Sequence, residues 1–226
     1  DSSGAIFNVK VQQDNFLGKG NNVALELEKS SYRKLIRYRN TDPYFTNDGI
    51  SKSVSLVYSE TDVSATSTAA YISDTIAYGV NYNVPVSESR SYGYGAELVL
   101  TDYTTTSGSP ANVTEFINKY GNSHLGFLLS ASLIEDTRDR TVYAKQGKRQ
   151  SLTSNLYIPP DLDYSYASIK YTGEYNTPYK LNFLDIFDWN TTFQIKPQVG
   201  IGVGLMGSSS LPFHDKYFAG GDKTVR

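Results

Sequence analysis

The sequence predicts an all-β protein whose strands form an antiparallel transmembrane β-barrel, and three observations support this prediction. Apolar and polar residues alternate with a period of two along most of the chain, which is the pattern of strands with two different faces. No apolar run approaches the roughly 18–20 residues that a membrane-spanning helix requires. The chain contains 19 Tyr and 10 Phe with 39% hydrophobic residues overall, a composition that suits strands lying between lipid and water.

About ten strands account for the alternating segments. We expect them, in chain order, at residues 4–13, 20–30, 32–41, 50–61, 68–84, 90–104, 122–136, 148–158, 164–177 and 189–205. Turn-forming residues separate them, for example Asp14-Asn15, Asp42-Pro43, Pro159-Pro160 and Pro178. Short turns and longer loops alternate, which is typical of an up-and-down barrel with a periplasmic and an external side. One of the loops, 105–121, contains a short helix from Ala111 to Tyr120.

The last of these strands, 189–205, shows the alternation most clearly. Its odd positions are mostly apolar, and its even positions are polar or are the glycines Gly200, Gly202 and Gly204. The segment is longer than the ~5–6 residues of an ordinary soluble strand and longer than the ~9–11 residues that cross a bilayer at a tilt. We therefore expect it to project beyond the membrane.

The polar face of the predicted sheet carries charges on many strands, and charges need a wet environment. These charged residues are Lys10, Glu26, Glu28, Arg33, Arg37, Arg39, Glu97, Lys170, Glu174 and Lys196. The opposite face then needs a large apolar partner, and the hydrocarbon of a bilayer is the simplest one. A soluble β-sandwich or a lipocalin-like barrel also alternates and is the alternative interpretation; such a protein would stay in solution without detergent.

Charge and composition argue against several classes of function. The 21 Lys and Arg against 23 Asp and Glu give a formal net charge of -2, so nucleic acid is not an expected partner. The chain has no Cys and therefore no thiol chemistry. The two histidines, His124 and His214, are too few for a histidine metal cage, and neither accompanies a nucleophile-elbow pattern. We expect no enzymatic activity, no metal and no cofactor.

Four segments carry motifs that occur together in one order. The first segment, 12–20, contains Asp14, Asn15 and Gly18, and the second, 41–49, contains Asp42, Pro43, Tyr44, Phe45 and Gly49. The third segment, 136–139, contains Asp136, Arg138 and Asp139 and is followed by Gly147. The fourth segment, 217–226, contains Gly220, Gly221, Thr224, Val225 and Arg226. In order and spacing they resemble the BamA family of the bacterial surface antigen superfamily. The first three look like periplasmic turns of that family, with Asp42 in place of its usual Asn, and the fourth looks like the start of its sixth external loop motif.

This resemblance implies a sixteen-stranded barrel, of which residues 1–226 would form strands two to eleven and, at 206–226, most of the sixth external loop. It also implies that the periplasmic POTRA domains, the first strand and strands twelve to sixteen lie outside this segment. In the family the sixth loop folds back into the lumen, and its arginine pairs with acidic groups on later strands. That role corresponds to Arg226 here.

The glycines of the strand 189–205 suggest where this loop packs. Gly200, Gly202 and Gly204 form a track without side chains on the polar face, and such a track lets another stretch of backbone approach closely. Our hypothesis is that residues 207–226 pack back over this glycine track. The alternative is that the glycines only ease the curvature of the barrel.

The resemblance implies a function as well: the barrel component of an insertase that folds β-barrel proteins into the outer membrane of a Gram-negative-type bacterium. The expected partners are the lipid bilayer, nascent outer-membrane β-barrel proteins and accessory assembly lipoproteins. The alternatives are a two-partner secretion or TamA-like transporter of the same superfamily, or a passive porin.

Overall fold

The computed structural model describes residues 5–62, 70–183, 187–206 and 211–216. Its strands, numbered in chain order, are β1 (Phe7–Gln13), β2 (Asn22–Lys29), β3 (Arg33–Asp42), β4 (Ser51–Asp62), β5 (Tyr71–Ser87), β6 (Arg90–Thr105), β7 (Ser123–Asp136), β8 (Gly147–Ile158), β9 (Tyr166–Phe183), β10 (Phe187–Ile195) and β11 (Gln198–Gly204). Among the described residues, the α-helix α1 (Ala111–Tyr120) lies between β6 and β7, and 3₁₀ turns span Phe16–Gly18 and Phe213–Asp215.

All the strands belong to one antiparallel sheet in which chain neighbours pair from β1 to β10, while β11 pairs with β9. The predicted all-β class and antiparallel order are therefore confirmed. Within the described residues the sheet is open, with β1 at one edge and β10 and β11 at the other. The connections alternate between its two ends, and we name these ends periplasmic and external as the sequence predicts.

β10 and β11 together are the single long strand that the sequence predicts. Ile195 of β10 lies opposite Tyr175, and Gln198 of β11 lies opposite Thr172, so the register continues without a slip. Between them the carbonyl of Pro197 accepts the Gly173 N–H at 2.9 Å. Because proline has no N–H to donate, the ladder is interrupted at this point although the strand is not.

The prediction of a turn at Pro178 is wrong. Pro178 lies inside β9, opposite Thr192 of β10, and β9 continues to Phe183 rather than ending at 177. Asn176 is the last β9 residue that pairs with β8, opposite Gly147. Beyond it one side of β9 has no described partner strand, and such an unpaired edge is where a strand accommodates proline. β5 likewise runs past its expected end at 84 to Ser87, with a register irregularity after Pro85.

The helix α1 begins and ends where the sequence predicts. Pro110 precedes it with φ −61°, and Gly121 ends it with φ +87° while donating its N–H to the Ile117 carbonyl at 2.8 Å. Such a conformation after the last turn favours glycine. In the part of the chain that the structure describes, no helix combines the length and the apolar character needed to cross a bilayer.

Large apolar side chains occupy one face of the sheet and are exposed. The strand registers align Tyr38, Leu56, Tyr78, Leu98 and Phe127 in one row across five strands, and each of the five is at least 39% exposed. A contiguous apolar surface of this kind is costly in water and marks contact with a membrane or a partner. In a β-sandwich the equivalent face would be sealed against a second sheet, which the described residues do not contain.

The opposite face carries the polar and charged residues and is the lumenal face of the predicted barrel. Arg37 donates to Glu26 across β2 and β3 at 3.0 Å, an ion pair between two charges that the sequence places on the wet side. Farther along, Arg39, Asn81 and Glu97 line one concave polar surface. The charges of this face therefore have polar surroundings, as the period-two pattern predicts.

Candidate functional site

The external end of the sheet contains the largest buried apolar clusters among the described residues. Three connections meet there over the lumenal face: α1, the β8–β9 loop 159–165, and the described residues 205–206 and 211–216 of the segment that follows β11. We call this assembly the external cap. It is the candidate functional site because it joins the segment after β11, which the sequence predicts to fold back, to the wall of the sheet.

The segment after β11 is held against the lumenal face by one glycine and one backbone hydrogen bond. A Cβ atom added to Gly202 would overlap the side chain of Leu211, with Leu211 Cγ at 2.6 Å. Just after β11, the Leu205 N–H donates to the Ser165 carbonyl at 2.7 Å. The absence of a side chain at Gly202 therefore creates the space that Leu211 fills. Packing over Gly200 and Gly204 stays a prediction.

Phe213 anchors this segment in the cap. Its ring lies 5.2 Å from the rings of both Tyr71 and Tyr103 and 5.3 Å from the ring of Phe116, each in an edge-to-face arrangement. The side chain is only 6% exposed. Edge-to-face aromatic pairs of this geometry contribute about 0.5–1.5 kcal/mol each beyond the burial of their surface. Phe213 thus connects β5, β6 and α1 through a single side chain.

Three tyrosines form the second part of the cap. Tyr157 stacks on Tyr166 at 5.2 Å and on Tyr164 at 5.8 Å, and all three are nearly fully buried. The ring of Tyr157 also lies against Gly126 of β7, where an added Cβ would come within 2.6 Å of Tyr157 Cε2. A second glycine on the lumenal face therefore receives a large ring. The period-two pattern does not predict this contact, and a glycine between Leu125 and Phe127 is the only local signal for it.

Both histidines lie in the cap, although the sequence analysis assigned neither a role. His124 Nδ1 lies 2.9 Å from the Tyr164 hydroxyl. His214 stacks on Tyr103 with 5.5 Å between the rings, and burial lowers its pKa to about 4 while the adjacent Asp215 carboxylate opposes that change. His214 is therefore neutral at pH 7, as a ring in a dry aromatic cluster must be.

This burial predicts that the cap loosens in acid. The pKa of His214 in the cap lies below its ordinary value of 6.5. Protons therefore bind more readily to the undocked segment than to the cap below pH 6.5, and the free energy that holds the segment in the cap decreases as the pH falls from 6.5 toward about 4. The titratable groups that face this ring are Asp215, His124, Tyr103 and Tyr166. We expect hydrogen exchange of residues 205–216 to accelerate between pH 6.5 and pH 4, after correction for the intrinsic rate, and His214→Phe to reduce that dependence. An unchanged dependence in the variant would show that His214 is not its source.

The predicted mid-barrel turn contains the best-connected ion cluster at the periplasmic end. Arg138 pairs with Asp136 at 2.7 Å and with Glu174 of β9 at 3.3 Å, and its side chain is 11% exposed. The hydrogen-bonded Asp136 carboxylate raises the pKa of Arg138 further. Asp139 accepts the N–H groups of Lys145 and Gln146 at 2.9 and 3.3 Å, which closes the turn.

Glycine is required where this turn returns to the sheet. Gly147 has φ +95°, and an added Cβ would lie 2.8 Å from the Arg138 Cα. Both the backbone angle and the close approach exclude a side chain there. The structure thus brings together the residues Asp136, Arg138, Asp139 and Gly147 that the sequence analysis singled out.

The two earlier turn motifs are local structures held by their own side chains. Asn15, with φ 53°, accepts the Gly20 N–H on its side-chain oxygen at 2.7 Å, while its carbonyl accepts the Gly18 N–H at 3.0 Å. The adjacent Asp14 accepts from Gln12 at 3.2 Å.

In the second motif, Asp42 accepts the Tyr44 N–H at 3.0 Å, directly across Pro43. Phe45 follows, and Gly49, with φ +80°, donates to the Thr46 carbonyl at 3.1 Å. Both turns lie at the periplasmic end, far from the external cap. The loop-motif residues Gly220, Gly221, Thr224, Val225 and Arg226 lie outside the described residues, and their roles stay predictions.

Comparison with known proteins adds the family to this geometry. The sequence profile of the Omp85 superfamily domain matches residues 15–226. The chain is 25% identical over 234 aligned positions to the outer membrane protein assembly factor BamA of Neisseria meningitidis serogroup B, an alignment that covers 99% of this chain and 28% of that protein.

A solved structure is similar in fold. The crystal structure of BamA from Haemophilus ducreyi lacking POTRA domains 1–3 superposes with a TM-score of 0.82 at 23% identity, covering 99% of this chain and 43% of that one. This chain therefore spans less than a third of the length of the Neisseria protein and less than half of the chain in the solved structure, and its open sheet is similar to part of that barrel.

Proposed function

The chain belongs to the Omp85 superfamily, and from this membership we propose that it forms part of the transmembrane barrel of an outer-membrane protein assembly factor. The complete protein would insert nascent β-barrel proteins into the outer membrane of a Gram-negative-type bacterium. The observation that carries the proposal is the similarity to a protein named as such a factor along 99% of this chain. The exposed apolar face of the sheet supports the membrane location.

The physical basis of the activity is the cost of unpaired backbone groups in lipid. A strand entering hydrocarbon alone leaves its N–H and C=O groups unsatisfied, at several kcal/mol per group. An openable seam in a barrel offers an edge with which the incoming strand can pair. In the family that seam lies between the first and last strands, which the resemblance assigns to parts of the barrel beyond this chain. The residues here would supply the rigid wall and the cap.

The external cap would brace the lumen while the seam opens. Phe213 connects the segment after β11 to β5, β6 and α1, and Leu211 connects it to the tyrosine cluster and to Gly202. A segment fixed in this way resists deformation of the wall. Accessory lipoproteins are proposed partners of the complete protein, together with lipid and nascent barrels.

Folding of a client protein tests the proposal. The complete protein is reconstituted in liposomes, and the insertion of a urea-denatured outer-membrane β-barrel protein is followed by its shift in electrophoretic mobility. We expect insertion at least tenfold faster than in liposomes containing a porin. Steady ion conductance without faster insertion would instead identify a passive porin, and translocation of an unfolded passenger without insertion would identify a secretion transporter.

A further inference from the structure

Lys52 lies beside the turn between β3 and β4, next to two aromatic rings at the periplasmic end of the apolar face. Lys52 Nζ lies 4.9 Å from the centre of the Phe45 ring and 5.9 Å from the centre of the Tyr82 ring. The two rings contact each other edge to face at 5.8 Å. A cation over aromatic faces at these distances is attracted by their electron density.

Register fixes the face of the sheet on which this lysine lies, and its position on β4 fixes the end. Lys52 lies opposite Tyr82 on β5, and it is two residues from Val54 and four from Leu56 on β4. Because side chains alternate along a strand, Lys52 shares the apolar, lipid-facing side with Val54 and Leu56. It is the first residue of that side on β4 after the β3–β4 turn, and a residue beside such a turn lies near the lipid headgroups in a membrane-spanning sheet.

Lys52 forms no ion pair with an acidic residue in the described part of the chain. None of the ion pairs among the described residues includes it. The carboxylate opposite in register, that of Asp42, accepts the Tyr44 N–H of the turn at 3.0 Å. By contrast Lys34, on the same face at the external end, donates to both oxygens of Glu60 at 2.7 and 2.8 Å.

The position of Phe45 is set by a closed turn. Thr46 accepts the Gly49 N–H on its carbonyl at 3.1 Å and the Ile50 N–H on its hydroxyl at 3.2 Å. At Gly49 an added Cβ would contact Pro85 of β5 at 3.7 Å, so the turn packs against the neighbouring strand. The turn thus holds the Phe45 ring beside the ammonium group, and such preorganisation lowers the entropic cost of binding a ligand.

We propose that Lys52, Phe45 and Tyr82 form a binding site for the headgroup phosphate of an anionic phospholipid in the periplasmic leaflet. The ammonium group would donate hydrogen bonds to the phosphate oxygens, while the two rings contact the glycerol region and upper acyl chain. The proposal gives a function to the second turn motif, with its residues Asp42 to Gly49. It depends on the membrane location of the proposed function and not on assembly activity.

Native mass spectrometry of the complete protein in detergent tests the site. Phosphatidylglycerol is titrated against the wild-type protein, Lys52→Gln and Lys34→Gln, with phosphatidylcholine as the uncharged comparison. We expect the wild type to retain one phosphatidylglycerol in preference to phosphatidylcholine, and Lys52→Gln to weaken that binding roughly fivefold, the effect of one lysine at a membrane surface. Lys34→Gln, which removes a lysine already paired with Glu60, should leave it unchanged.

Further variants protect the test against a folding defect. Phe45→Leu keeps the charge and the apolar character but removes one ring, and it should weaken phosphatidylglycerol binding about two- to fivefold. Lys52→Arg should retain it. Each variant is first checked for the heat-dependent mobility shift of a folded barrel.

Three results would overturn the proposal. The first is equal binding of the two lipids to the wild type, and the second is unchanged phosphatidylglycerol binding in folded Lys52→Gln. The third is displacement of the lipid by millimolar inorganic phosphate, because that result would indicate a site for free anions. If a variant loses its lipid preference but inserts client proteins normally, the lipid site is separate from the assembly function. If the protein binds the lipid but inserts no client, only the proposed assembly function is refuted.

Discussion

Replacing Gly202 with leucine is expected to release the segment after β11 from the external cap. The new side chain would occupy the space of Leu211, and Phe213, two residues farther on, would leave its aromatic pocket. Two large apolar side chains would then lose their burial, at a cost of about 3 kcal/mol or more. Hydrogen exchange of peptides covering residues 205–216 should accelerate by about a hundredfold or more, because the Leu205 N–H is bonded to Ser165 only when the segment is docked.

Val203→Leu is the matched control for this variant. Val203 is the next residue of the same strand, is 48% exposed on the apolar face, and gains only a methylene there. Exchange of residues 205–216 should remain as in the wild type. Unchanged exchange in Gly202→Leu would refute the packing of Leu211 on the glycine. The double variant Gly200→Leu with Gly202→Leu extends the test to the full track, and normal client insertion together with normal protection would favour the curvature alternative.

Removal of the Arg138 guanidinium is expected to have the second largest effect. Arg138→Met would leave the Asp136 and Glu174 carboxylates without their shared cation, whose side chain is only 11% exposed. Arg149, at 3.6 Å from Asp136, would offset part of the loss. Loss of one partner from such a cluster costs about 2–3 kcal/mol, less than for a fully buried pair because both carboxylates are partly exposed. The free energy of unfolding in urea, measured on the complete protein in detergent micelles, should fall by this amount.

Arg140→Met provides the comparison within the same turn. Arg140 pairs with Asp139 at 3.1 Å, but its side chain is 54% exposed, so its loss should change the free energy of unfolding by less than about 0.5 kcal/mol. Similar losses for the two variants would mean that the Arg138 cluster is an ordinary surface ion pair and does not stabilise the turn.

The strands could be predicted because their physical cause is local. A sheet with one wet and one apolar face requires alternation at every step, and the resulting pattern is visible in segments as short as seven residues, as in β1. The helix α1 was predictable for the same reason, since Pro110 and Gly121 bound it. Pro178 misled the prediction because a proline indicates a turn unless the neighbouring strand is known to have ended.

The external cap could not be predicted from local pattern. Three connections, roughly fifty residues apart along the chain, bring together Phe116, Tyr164 and Phe213. No periodic pattern of the sequence indicates that these three side chains are in contact. The excess of tyrosine is typical of strands between lipid and water. Part of it instead forms the buried stack of Tyr157 and Tyr166. Only the glycine track signalled that something packs on the lumenal face.

The most direct test of the account is the accessibility of alternate residues on one strand of the membrane-inserted protein. The chain contains no cysteine, so single cysteines carrying spin labels can be placed at Leu56 and Tyr58 and, for comparison, at Ser55 and Ser59 of β4. We expect labels at Leu56 and Tyr58 to relax faster with oxygen, which partitions into lipid, and labels at Ser55 and Ser59 to relax faster with a water-soluble nickel complex. Equal accessibility at all four positions, or exclusion of both reagents from Leu56 and Tyr58 as in a dry core, would contradict a sheet with lipid on one face and water on the other.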